Sequence, residues 1–135
     1  MDFSHINWFA TIVAALSSFM VGGLWYSKVL FQTAWMADNN FTQEQMKGGN
    51  MAKIFGFTTM FSIIMAVNLA IFLSPPTTTV SWGAEAGCLA GVWTFSSIAI
   101  MSLFELKSWR LIFINGGYSL VSLVVMGYYW RVAVN

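Results

Sequence analysis

Four stretches of the chain are apolar on every side rather than along one stripe, and charged or turn-forming residues frame them: Ile6 to Tyr26, Ile54 to Leu73, Ala86 to Phe104 and Leu111 to Trp130. A water-facing helix keeps one apolar stripe and a barrel strand alternates every second residue, so continuously apolar runs of this kind predict helices surrounded by lipid. At ~1.5 Å per residue, about 20 residues cross a hydrocarbon layer of ~30 Å. The second run stops at Ser74-Pro75-Pro76, where proline removes backbone donors and ends the helix. The first exceeds the roughly 7 to 15 apolar residues of a signal-peptide core and lacks a basic start, so it reads as a retained span. The expected fold is all-α, an integral membrane four-helix bundle occupying residues 1–135 as a single domain.

Between the first two spans lies the one connection long enough to hold structure. Its first part, Val29 to Met36, is apolar but too short to cross, and is expected to lie along the interface as a short helix. Asp38-Asn39-Asn40 reads as a turn, and Thr42-Gln43-Glu44-Gln45 has the spacing of a capping box, which starts another short helix. Gly48-Gly49 should bend or break it before the second span. Ser74 to Ser81, rich in Pro and Thr, reads as a plain connector.

Charge sets the orientation. Lys28, Lys47, Lys53, Lys107 and Arg110 flank the first and third connections and Arg131 alone flanks the other side, five of the chain's six basic residues against one. The positive-inside rule then places those two connections in the cytoplasm and both termini outside, as in a multi-pass protein of a bacterial inner membrane. Trp25, Trp35 and Trp109 fall near the inner face and Trp8, Trp82 and Trp130 near the outer one, as aromatic belts do, with Trp93 deep.

Composition narrows the function classes. With 58% hydrophobic and only 8% charged residues, a soluble fold could not cover its surface, and a formal charge of +1 is not that of a nucleic-acid surface. One cysteine, Cys88, and one histidine, His5, leave no ligand set for zinc and no nucleophile with a base beside it, so no catalytic residue, metal or cofactor is implied and the chain is not expected to be an enzyme.

What remains is packing and a few polar groups. Helices in lipid associate where small residues let backbones approach. Ala14, Ser18 and Gly22 continue such a stripe from Ala10 in the first span, and Gly83, Gly87 and Gly91 form another in the third. These faces pack within the chain or, at Gly87 and Gly91, against a second copy. Glu85 near the outer end of the third span, and the amides Asn68 and Asn115, are the candidate solute contacts, with interhelical hydrogen bonding or simple solvation as the plain alternative. Lys107 and Arg110 could hold an acidic lipid headgroup or pair with nearby Glu105.

Two groups of residues also resemble a known family. Asn7-Trp8, Gly22-Gly23-Leu24-Trp25-Tyr26-Ser27, Leu30-Phe31 and Ala34-Trp35 are similar to the N-terminal signature of DUF1761. Phe104-Glu105, Ile112 to Tyr118 and Ser122 to Gly127 are similar to its C-terminal part, with Ser119 where histidine is frequent. The resemblance implies a four-span membrane protein without an assigned activity. Physically, Trp25, Tyr26 and Trp35 read as interfacial anchors. The expected function is that of a structural, accessory or self-associating membrane module. Its partners would be lipids, copies of itself or another membrane protein. The alternative is a small oligomeric transporter or channel lined by Glu85, Asn68 and Asn115.

Overall fold

The computed structural model describes residues 6–75 and 77–134; Asp2, His5, Pro76 and Asn135 lie outside the described residues. Six helices follow one another: α1 (Trp8–Trp25), α2 (Gln32–Asn39), α3 (Gln43–Lys47), α4 (Met51–Leu73), α5 (Val80–Phe104) and α6 (Trp109–Val134). Among the described residues four helices, α1, α4, α5 and α6, are long and apolar enough to cross a membrane. They carry large exposed side chains such as Phe9, Met20, Trp93 and Phe104, an exterior suited to hydrocarbon.

Every helix except α2, which follows Phe31 without a side-chain cap, starts where the sequence supplies an acceptor for its first free N–H groups. Asn7 Oδ1 accepts from Ala10 N at 3.0 Å, Asn50 Oδ1 from Lys53 N at 3.0 Å, Thr79 Oγ1 from Trp82 N at 3.2 Å and Ser108 Oγ from Leu111 N at 3.0 Å. The capping box closes as the spacing predicts: Thr42 Oγ1 accepts from Gln45 N at 3.2 Å, and Thr42 N donates to Gln45 Oε1 at 2.9 Å. Gly48 caps α3, and Gly48-Gly49 separate it from α4.

The helix limits depart from the charge-marked runs in an instructive way. α5 begins at Val80, so Glu85 stands inside the helix rather than at its edge; α4 takes in Lys53, and α6 runs past Arg131. Charges mark where a helix leaves the apolar layer, not where it ends. The stretch from Val29 to Met36 is not one helix. Turns bonded to Ser27 O fill its first residues, and α2 starts only at Gln32.

Among the long helices α6 is the hub. It packs most extensively on α5, next on α1, and more lightly on α4 and on the short α2, while α4 leans chiefly on α1. The α5–α6 seam is made by glycine. A β-carbon on Gly87 would strike the Leu123 carbonyl, and one on Gly127 the Gly83 carbonyl, while one on Gly91 would lie 2.8 Å from Leu120 Cα. Gly83, Gly87 and Gly91 are buried against α6, the packing within the chain that is the first of the two readings of this face, rather than against a second copy. The α1 stripe is shared between neighbours. Ala14 is fully buried, the Ser18 hydroxyl donates to Ser62 Oγ of α4 at 3.2 Å, and Gly22 faces the Tyr118 ring of α6.

Leu69, Ala70 and Leu73 of α4, with Ala10 and Ala14 of α1 and Leu123, Met126 and Trp130 of α6, make the main core. Trp130 is 2% exposed, and its indole N–H donates to Thr11 Oγ1 at 3.1 Å, so it is a core residue rather than part of an outer aromatic belt.

Candidate functional site

At the end of the assembly that carries α2 and α3, α1 delivers two aromatic side chains toward α6. The Trp25 indole N–H donates to the Ile114 carbonyl at 2.9 Å, and the Tyr26 hydroxyl donates to Asn115 Oδ1 at 3.0 Å. Glycine makes room for this. The Trp25 ring lies 3.0 Å from the place of a β-carbon on Gly117, and the Tyr118 ring 3.3 Å from that of Gly22. Phe95 of α5 covers Gly116 from the other side. Gly22 on α1 and Gly117 on α6 thus each admit a ring from the opposite helix.

The rings continue outward from this joint. Tyr26 meets Tyr118 edge-on with centroids 5.3 Å apart and Trp35 of α2 at 5.8 Å, and Trp35 in turn meets Phe41 at 5.4 Å. Such edge-to-face pairs are each worth ~0.5–1.5 kcal/mol beyond the area they bury. They leave a niche of about 620 Å³ bounded by α1, α2, α4 and α6, with Met46 of α3 at its rim. Its polar edge is formed by Tyr26, Asn115, Tyr118, Gln32 and Thr58, and its apolar wall by Phe19, Gly23, Ile54 and Phe55.

A polar latch fixes α2 beside this niche. The Asp38 carboxylate accepts from Arg110 Nε at 2.9 Å, from Arg110 Nη2 through its second oxygen, and from the Ser108 hydroxyl at 2.7 Å. The hydrogen bonds from Arg110, and then that from Ser108, hold the Asp38 carboxyl down at about 2, below its ordinary 3.8. The pair is bidentate, the geometry that best matches guanidinium to carboxylate.

The expected site residues divide. Asn115 stands in the niche, half-buried. Asn68 is exposed on α4, and its amide donates back to the Ile64 carbonyl at 2.8 Å; Glu85 is exposed on α5. Within one chain Asn115 lines the niche, and Glu85 and Asn68 are not among the residues that line it. Arg110 is engaged by Asp38 rather than by Glu105, and Lys107 is exposed. Trp25, Tyr26 and Trp35 are half-buried, and the Trp25 N–H and Tyr26 O–H turn to α6, which corrects their reading as simple interfacial anchors. Cys88 is exposed on α5.

Gln32, Tyr118 and Asp38 escaped the sequence reading as site residues. Tyr118 follows Gly116-Gly117, and a ring next to a glycine pair signals close packing. Gln32 interrupts an apolar stretch. Asp38 looked like a turn former, and only the fold puts it beside Arg110.

The comparisons with known proteins bear out the family. The family model described as "Protein of unknown function (DUF1761)" matches residues 9–130. Comparisons with curated proteins and with solved structures found no match.

Proposed function

This chain belongs to the DUF1761 family, and we propose that it is a non-enzymatic accessory module of a membrane, which works by holding a small lipid-soluble ligand in the niche between α1, α2, α4 and α6. One observation carries this reading. The two stretches that carry the family resemblance, Gly22 to Ser27 and Ile112 to Tyr118, meet through the Trp25 indole on the Ile114 carbonyl and the Tyr26 side chain on Asn115 and Tyr118. Structural helix packing is already provided elsewhere, by the glycine seam of α5 and α6. The niche offers hydroxyl, carboxamide and ring surfaces, groups suited to hydrogen bonding and stacking. Its volume is that of a small-molecule site, ~300–1,000 Å³.

The four long helices cross a bacterial inner membrane in this reading, with α2, α3 and the niche on the cytoplasmic side. Five of the six basic residues, at Lys28, Lys47, Lys53, Lys107 and Arg110, support that orientation. Of the residues a transporter path would use, Asn115 alone stands in the niche, which favours binding over passage.

The test is an extraction. Protein purified in polymer-bounded native membrane should carry one class of amphiphile enriched over the surrounding lipid, and Asn115→Leu should lose that enrichment while keeping its helix content. Identical extracts from both proteins would refute the proposal.

A further inference from the structure

The niche has a definable ligand chemistry. Among the described residues no charged side chain lines it. An ionised headgroup would lose its water there without gaining a counter-charge, which costs several kcal/mol for a buried ion. The ligand is therefore uncharged. The Tyr26, Tyr118 and Trp35 rings stand at its edge, and ring surfaces grouped in this way suit a flat π-system.

Two carboxamides give the hydrogen-bond sense. Asn115 lines the niche and uses its oxygen to accept from Tyr26, which leaves its amide N–H groups with no acceptor among the described residues. The Gln32 carboxamide also lines the niche and has no hydrogen bond to the described residues. Donors of this kind, placed between rings, fit carbonyl oxygens on a flat head.

The way in is set by the opposite wall. Ile54 and Phe55 are 50% and 56% exposed on α4, a helix apolar enough to cross a membrane, and Gly23 is exposed on α1. That wall opens sideways to hydrocarbon, so the ligand arrives through the bilayer and trails an apolar tail into it.

From these three features we infer that the niche binds the head of a membrane-soluble quinone: flat, uncharged, with ring carbonyls accepting from Gln32 and Asn115 and an alkyl or isoprenoid tail leaving past Phe55. This rests on the binding role proposed above and adds the class of ligand. The claim concerns binding alone and includes no electron transfer.

Equilibrium binding of a decyl-substituted benzoquinone to the protein in lipid nanodiscs, with empty nanodiscs as reference, tests it. Saturable binding near one quinone per chain is expected. Gln32→Leu and Asn115→Leu should each weaken it about tenfold, the loss of roughly one buried hydrogen bond. Gln32→Leu is the safer variant, since the replaced side chain makes no hydrogen bond to the described residues. Asn68→Leu, on the outward face of α4, should bind as the wild type does.

Decylbenzene, which lacks the carbonyls, should not displace the quinone, and neither should anionic dodecanoate. If either competes as well as the quinone itself, or if Gln32→Leu and Asn115→Leu bind normally, the quinone assignment is wrong. The binding role survives that result if native extracts still show an enriched amphiphile dependent on Asn115. If no probe binds and the extracts show no enrichment, both readings fail.

Discussion

A single carbon atom at Gly87 is enough to test how α5 and α6 meet. Its β-carbon would collide with the Leu123 carbonyl, and a backbone atom in mid-helix cannot rotate away as a side-chain tip can. Gly87→Ala should destabilise the protein by about 1–3 kcal/mol, the usual cost of overpacking, in reversible unfolding from mixed micelles. Gly56→Ala, where nothing lies within 4 Å of the new methyl, should be neutral or slightly stabilising. Equal effects at the two sites would mean that the seam is not where it is described. At the niche, Trp25→Phe keeps the ring and removes the N–H that reaches Ile114 O. A loss of about 0.6 kcal/mol is expected, typical of hydrogen bonds between helices in lipid, and the same unfolding assay reads it.

Sequence alone made the glycines visible as a spacing. Small residues every four positions mark a close approach, but the pattern is the same whether the neighbour is α6 or a second chain. Gly87 and Gly91 could be assigned only once Leu120 and Leu123 were seen against them. Trp25 and Tyr26 misled for a related reason. An amphipathic ring at the end of a span suits the water interface, and nothing local distinguishes an N–H directed at headgroups from one directed at a carbonyl 89 residues away.

At the scale of elements, α2 is the piece most open to change. Eight residues form no stable helix alone in water, so its place depends on what it touches: Trp35 against Tyr26 and Asp38 against Arg110 and Ser108. Asp38 has its carboxyl pKa lowered on docking. The ionised form therefore favours the docked state above the ordinary 3.8, and that preference is lost as the pH falls through about 2. Hydrogen exchange of the α2 amides should stay slow from neutral pH down to about 4 and speed up, relative to α6, only near 2. Asp38→Asn should give the fast pattern at neutral pH. An α2 that exchanges identically in both proteins would show that the aromatic contact holds it without the latch.

The long helices were readable as elements because hydropathy reports the solvent directly: four apolar runs gave four long helices, with ends shifted by a few residues where a polar cap lies outside the apolar layer. The latch was not readable in this way. Asp38 and Arg110 are 72 positions apart, and only the packing of α2 on α6 makes them neighbours.

For the molecule as a whole, the hub position of α6 makes one chain sufficient to build the niche, since α1, α2, α3, α4 and α6 all come from the same copy. The glycine seam is buried inside the chain, so a second copy would have to meet a different face, and no residue of that copy is needed for the ligand. Orientation follows from charge and has its own check. A reporter fused within the segment between α2 and α3 should be active only on the cytoplasmic side; activity on the outer side would reverse the assignment.

The central claim is that a single chain holds a small ligand where its two signature stretches meet. Its most direct test is the native mass of the complex released from polymer-bounded membrane. The account predicts the mass of the chain, alone or with a protein partner, plus one small non-covalent ligand per copy that is lost in Asn115→Leu. A bare chain or a bare symmetric oligomer, with the same mass per copy in the wild type and in Asn115→Leu, would contradict it.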